Sequence, residues 1–130
     1  MGVDRYRILI VEDEILTAMS LQIELESLGH KVVGILKDET SAIQACESQK
    51  VDAILLDINL GSGKSGLEIG ANIQAKHDIP ILLMTGYEIE GLDVDDLALK
   101  IIGVTKKPVF AADLLHLIDE FIQDQHANDS

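Results

Sequence analysis

Five short apolar runs divide this chain: Ile8–Val11, Val32–Ile35, Ala53–Leu56, Ile81–Met84 and Ile101–Val104. Each is rich in β-branched residues and apolar at nearly every position, not at every second one. A strand with one wet face alternates, whereas a strand covered on both faces does not. The runs therefore predict strands of a parallel sheet with helices on both sides. Helical patterns fill the gaps. Ile15, Ala18, Leu21, Leu25 and Leu28 share a stripe that Gly29 stops. Thr40 to Gln49 makes a second, shorter helix, and Leu67, Gly70 and Ile73 mark the inner face of a third, with Gly70 allowing close approach to the sheet. In the last helix Leu114, Leu115, Ile118, Phe121 and Ile122 face inward, and Asp119, Glu120 and Asp124 face out. Glu88 to Lys100, an acidic stretch broken by Leu92, Val94, Leu97 and Leu99, is expected to hold a short helix. Five β–α units in succession imply a doubly wound, five-stranded α/β sheet with right-handed crossovers.

A chain of 130 residues suits one domain. The expected core runs from about residue 6 to 125, followed by a polar tail at 126–130, with no linker and no output domain. Asp plus Glu number 23 against 10 Lys plus Arg, a formal net charge of −13. Such a chain repels nucleic-acid phosphates and anionic headgroups, which argues against both as partners. Hydrophobic residues at 47% are too many for a disordered acidic tail, and aromatics at 3% make the expected core aliphatic. The lone Cys46 excludes an internal disulfide and a cysteine-built zinc site, and reads as a small packed side chain. Met1 to Arg7 holds no apolar signal core, and no run approaches the ~18 residues a membrane helix requires, so a cytoplasmic location is expected.

In doubly wound sheets the ligand site lies beyond the carboxyl ends of the strands. Glu12 and Asp13 follow the first run, Asp57 the third, Thr85 the fourth, and Lys106 and Lys107 the fifth, before Pro108. Alone, Asp13 reads as a helix cap, Asp57 as a loop acid, Thr85 as a strand-end hydroxyl and Lys107 as a solvated lysine. Together they converge on one rim. A like-charge pair at ~4 Å costs on the order of 4 kcal/mol at an effective dielectric near 20, so three carboxylates there require a compensating cation. Oxygen ligands with no thiolate or imidazole suit Mg²⁺. Asp57 then stands as a nucleophile toward phosphorus, with Mg²⁺ and a lysine spreading the transition-state charge.

These residues carry a resemblance that covers Ile8 to about Gln125. Ile8-Leu9-Ile10-Val11-Glu12-Asp13-Glu14, Leu55-Leu56-Asp57-Ile58-Asn59-Leu60, Met84-Thr85-Gly86 and Lys106-Lys107-Pro108 are similar to the motifs of response regulator receiver domains of two-component signalling. The resemblance implies a flavodoxin-like sheet of order 2-1-3-4-5, with Asp57 as phosphoacceptor. It implies Mg²⁺ held by Asp13, Asp57 and the backbone carbonyl of Asn59, with help from Glu12, and Thr85 and Lys107 binding the phosphoryl group. It implies a histidine kinase or histidine phosphotransfer protein as donor, a downstream protein as target, and a monomer or a phosphorylation-dependent dimer. Two departures stand out. Leu60 to Gly66 is longer than the family's loop and lacks its proline, and Val104 stands where many relatives carry a switch Tyr or Phe. Tyr87 follows Thr85-Gly86 instead, and Pro80 to Tyr87 is similar to the FAT GUY subgroup of single-domain receivers. On phosphorylation the expected moving parts are Tyr87 and Glu88–Asp96, and the expected partner surface is the helix there, the fifth strand and the last helix.

Competing chemistries fit less well. Gly61 to Gly66 satisfies G-x-G-x-x-G and contains Gly63-Lys64-Ser65, but a P-loop needs glycine where Ile58 stands. A dinucleotide site needs an acid at the end of the following strand, which ends in Thr85. These glycines read as a flexible loop beside Asp57. An aspartyl-phosphate phosphatase places a general acid two residues after its nucleophile, and Asn59 cannot serve as one. A flavodoxin-like module would find little to stack a flavin on among Tyr6, Tyr87, Phe110 and Phe121. His30, His77, His116 and His126 are scattered, against a metal or phosphohistidine role.

Overall fold

A computed structural model of the chain describes residues 5–60, 65–86 and 100–129. Its strands are β1 (Arg7–Val11), β2 (Lys31–Leu36), β3 (Ala53–Asp57), β4 (Ile81–Thr85) and β5 (Ile101–Lys106). Its helices are α1 (Ile15–Ser27), α2 (Glu39–Ser48), α3 (Gly66–Gln74) and α4 (Ala111–Asp129). The strands form one parallel sheet in the order β2-β1-β3-β4-β5. The doubly wound fold expected from the apolar runs is thus the fold observed. The helix expected within Glu88–Lys100, Tyr87 and the glycines at 61 and 63 lie outside the described residues.

Side chains alternate across the sheet and build two cores. Ile8, Ile10, Leu55, Leu82 and Met84 pack with Ala18, Leu21, Leu25, Leu114 and Ile118 under α1 and α4. Leu9, Val11, Ile54, Leu56, Ile81 and Leu83 pack with Ala42, Cys46, Ile69 and Ile73 under α2 and α3. β3 and β4 are buried at every position, while the edge strands β2 and β5 are mostly half-buried. This is why the central runs are apolar throughout. Cys46 is a packed, buried side chain. No helix among the described residues is long and apolar enough to cross a membrane.

The helix ends follow local chemistry. Gly29 sits at φ 96°, and the bonds from Gly29 N–H to the Glu26 carbonyl and from His30 N–H to that of Leu25 close a Schellman motif. Asp38 caps α2 by accepting the Ser41 N–H at 2.9 Å, and Ser65 caps α3 by accepting that of Glu68 at 3.3 Å. Glu14, not Asp13, occupies the N-cap position of α1 and makes no side-chain cap bond.

Three expectations change. β3 and β4 run one residue further, so Asp57 and Thr85 are themselves ladder residues, paired with Met84 and Lys106. The buried stripe of α1 is narrower than its sequence suggests: Ala18, Leu21 and Leu25 are covered, whereas Ile15, Leu28, Leu16, Met19 and Ile23 are exposed. Asp119 does not face outward into solvent but accepts a hydrogen bond from the Tyr6 hydroxyl.

Gly66 belongs to the first turn of α3, not to a flexible loop, and is pressed against the end of β3. A Cβ there would stand 2.1 Å from the Asp57 carbonyl oxygen and 2.7 Å from the Ile58 Cα, both backbone atoms. Gly66→Ala is expected to cost about 1–3 kcal/mol as an overpacking change. Urea denaturation measures this, and an unchanged midpoint would remove Gly66 as a packing constraint.

Candidate functional site

Parallel pairing brings the carboxyl ends of β1, β3, β4 and β5 to one rim, and each contributes a polar side chain. Glu12 follows β1 and keeps its backbone in register by donating its N–H to the Leu36 carbonyl at 2.9 Å. Its side chain is sealed at 1% exposure, and Asp57, the last residue of β3, is 3% exposed. Asp13 stands exposed at the edge. Carboxylate oxygens of Glu12, Asp13 and Asp57 lie within 4.8 Å of one another. With Glu14, Asn59, Gly86 and Lys107 they line a pocket of about 380 Å³.

Lys107 supplies the first compensation for these charges. Its Nζ lies 2.6 Å from Glu12 Oε1 and 3.0 Å from Asp57 Oδ2. Its backbone N–H donates to the Thr85 carbonyl at 2.7 Å, which anchors the stem beside β4 so that the ammonium reaches the end of β1. Burial alone would lower the Lys107 pKa, but the bonds to Glu12 and Asp57 and the charges of both hold it above its ordinary value. One lysine does not balance the cluster. Burial and the adjacent Asp57 push the Glu12 carboxyl up to about 7, against the pull of Lys107.

The other oxygen of Asp57 is also held: Oδ1 accepts the Asn59 N–H at 2.9 Å. Asn59 Nδ2 approaches the buried Thr85 hydroxyl at 3.5 Å. The structure therefore brings together Glu12, Asp13, Asp57, Asn59, Thr85 and Lys107. Asp57 is a fixed, half-neutralised carboxylate on the floor of a pocket open to solvent, the arrangement a carboxylate nucleophile requires. The donor set also fits a hard divalent cation. All the candidate ligands are carboxylate or carbonyl oxygens, the donor type such an ion prefers.

Two features were not legible as parts of the site. Gly66 presses on the carbonyl of Asp57, and only its missing Cβ, not any motif, marks it. Glu14, the N-cap of α1, lines the pocket and turns its backbone N–H toward Glu12 Oε2 at 3.4 Å. Its place in Glu12-Asp13-Glu14 was the available signal.

Residues 8–119 match the family model of the response regulator receiver domain. The chain is 41% identical over 81 residues to the phyllosphere-induced regulator PhyR of Methylorubrum extorquens, covering 62% of this chain and 30% of that protein. It is 27% identical over 118 residues to the transcriptional regulatory protein YdfI of Bacillus subtilis, covering 90% and 55%. The chain thus spans 30% and 55% of the lengths of these two relatives. Among solved structures, the signal receiver domain of a modulated diguanylate cyclase from Desulfovibrio desulfuricans superposes with a TM-score of 0.82 at 31% identity, covering 96% of this chain and 99% of that one. The receiver domain of PhyR from Erythrobacter litoralis does so at 0.75 and 29%, covering 91% and 90%. The fold, the strand-end residues and the family match agree: this chain belongs to the response regulator receiver domain family.

Proposed function

We propose that the chain accepts a phosphoryl group on Asp57 from a phosphohistidine donor and passes the signal on by changing which protein it binds. The observation that carries this reading is the Asp57 carboxylate itself, buried, gripped by Lys107 on one oxygen and by the Asn59 N–H on the other, at the floor of an acidic pocket. Family membership supports a phosphoacceptor role in two-component signalling.

In the proposed transfer a carboxylate oxygen of Asp57 bonds to phosphorus as the phosphorus–nitrogen bond to the donor imidazole breaks, and the imidazole leaves with the bonding pair. Asp13, Asp57 and the Asn59 carbonyl would hold Mg²⁺, with Glu12 assisting. Bound there, the ion would offset the negative charge of the phosphoryl oxygens. Lys107 is already placed to exchange its bond with Asp57 for one with a phosphoryl oxygen, and Thr85 offers a hydroxyl. A hydrogen bond to a charged group is worth about 1.5–3 kcal/mol. Two of them plus a neutral bond approach the ~5.5 kcal/mol that takes a two-state equilibrium from 1:99 to 99:1. Asn59 in place of a carboxylic acid leaves hydrolysis without a general acid, so the protein acts as an acceptor and not as a turnover phosphatase.

The donor is a histidine kinase or a phosphotransfer protein, and the chain works beside it in the cytoplasm. Its approach has a marked route. A second cavity of about 600 Å³ shares Glu14, Gly86 and Lys107 with the acidic pocket and is lined by Leu16 and Phe110, both exposed. A protein carrying phosphohistidine would cover this apolar rim while its imidazole enters the pocket.

With acetyl phosphate and Mg²⁺, intact-mass measurement should show one phosphoryl group on the wild type and none on Asp57→Asn. Equal labelling of the two proteins would sink the assignment. Asp13→Ala should weaken Mg²⁺ binding at least about tenfold by titration, as loss of a direct ligand does, and undiminished affinity would remove Asp13 from the ligand set. Glu12 adds a pH dependence. Below about 7 it carries a proton that the cation must expel, and above that value the carboxylate is free. Mg²⁺ should therefore bind roughly tenfold more weakly at pH 6 than at pH 8, and this difference should vanish in Glu12→Gln.

A further inference from the structure

At the end of the sheet away from the acidic pocket, three side chains from three elements meet. Tyr6, just before β1, is buried and lays its ring flat on that of His30, with centroids 5.1 Å apart and planes 9° from parallel. His30, between α1 and β2, is 8% exposed, and its Nδ1 accepts the Tyr6 backbone N–H at 3.1 Å. That bond requires a lone pair on Nδ1, so the ring is neutral with its proton on Nε2. The Tyr6 hydroxyl in turn donates to Asp119 in the middle of α4. The phosphoryl-transfer reading uses none of these groups.

We propose that Tyr6, His30 and Asp119 form a proton-sensitive clamp that ties α4 to this end of the sheet and releases it on acidification. A proton on Nδ1 destroys the acceptor and sets two donors, the imidazolium and the Tyr6 N–H, against each other in a buried site. The imidazolium also competes with the Tyr6 hydroxyl for Asp119. Tyr6 thus loses its backbone bond and its hold on α4 in one event.

Among the described residues, the charged groups around this end are Arg5 and Arg7 at β1, Glu26 on α1, Lys31 opening β2, Asp52 before β3 and Asp119 on α4. Glu26 is turned to the Val32 N–H at 3.4 Å, and Asp52 is bonded to the Arg7 N–H at 2.8 Å. Asp119 is the group whose charge acts on His30, favouring protonation, but burial outweighs it and holds His30 below its ordinary value. A group depressed in this way is neutral in the folded state where the unfolded chain already carries the proton. The clamp's contribution to stability is therefore complete above about pH 6.5, the ordinary histidine value, and is lost as pH falls from there to the lower folded value, at which the clamp itself opens.

Nuclear magnetic resonance on the full chain tests this. The His30 ring is titrated together with the Tyr6 amide shift, and protection of the amides at 118–122 is followed with the intrinsic pH dependence of exchange removed. In the wild type, His30 should titrate below its ordinary value, the Tyr6 amide should move with it, and α4 protection should fall severalfold across that midpoint. Amides of β3 serve as the unmoved reference. In Tyr6→Phe, His30 should still titrate, but α4 protection should sit near the acid value of the wild type at every pH. His30→Gln should abolish the pH response, and if it does not fold, Tyr6→Phe carries the test. A His30 ring that stays neutral to pH 4.5 overturns the clamp. So does α4 protection that ignores the His30 midpoint, or that follows it equally in Tyr6→Phe.

Discussion

The ammonium of Lys107 lies between two carboxylates that are almost wholly cut off from water, and the functional end of the molecule is organised by that contact. Glu12 and Asp57 end adjacent strands, so burying both would be prohibitive without a cation held against them. The cation comes from the far side of β4. Its stem is fixed by the backbone bond to Thr85, and only a long flexible side chain can span from there to the end of β1. The order β1-β3-β4-β5 is thus a requirement of the site as well as of the core. In this order β1 and β3 set the two acids side by side, and β5 lies close enough for Lys107 to reach both. Of the three carboxyl groups Lys107 bonds two, Glu12 and Asp57, and burial together with Asp57 still holds Glu12 up at about 7.

The same logic separates what the sequence shows from what it hides. Buried-on-both-faces strands write themselves as unbroken apolar runs, so β1, β3 and β4 and the parallel fold are legible from Ile8–Val11, Ala53–Leu56 and Ile81–Met84. The ladder's last residues are not, because Asp57 and Thr85 look like loop residues by polarity yet pair with Met84 and Lys106. The convergence of Glu12, Asp13, Asp57, Thr85 and Lys107 was legible because topology alone brings strand ends together, whereas Asn59 entered only through the resemblance to receiver domains. Gly66 was not, since its constraint is a through-space contact with the backbone at Asp57 and Ile58. Nor was the width of the α1 stripe. Ile15, Leu16, Ala18, Met19, Leu21, Ile23, Leu25 and Leu28 give apolar residues all round the helix, so periodicity places Ala18, Leu21 and Leu25 inward but does not set how far the buried side extends. Packing against β1, β2 and α4 limits it to Ala18, Leu21 and Leu25.

That limit has a functional reading. Ile15, Leu16, Met19, Ile23 and Leu28 of this helix region are exposed on a chain of net charge −13, and Phe110 is exposed before α4. Leu16 and Phe110 border a cavity that shares Glu14, Gly86 and Lys107 with the acidic pocket, the route proposed for the donor. Under that proposal, apolar contact close to the pocket would give dwell time, and the acidity within it would favour a partner that offers cations around an apolar centre.

The two ends of β1 also respond to protons in opposite senses. Glu12, raised toward 7, makes the metal-free fold more stable at low pH, and that contribution is lost as pH rises from about 4.5 through about 7. His30, depressed by burial, makes it more stable at high pH, and that contribution is lost as pH falls below about 6.5. In the overlapping interval the two partly cancel, so a flat dependence of stability on pH would conceal two titrations and not indicate none. A cation at the Asp57 end would alter the balance. With Glu12 held ionised by a bound positive charge, its proton uptake in this interval would disappear, and the His30 contribution would no longer be offset. A cation in the acidic pocket would thereby unmask the proton sensitivity of the opposite end of the sheet, without any contact between the two.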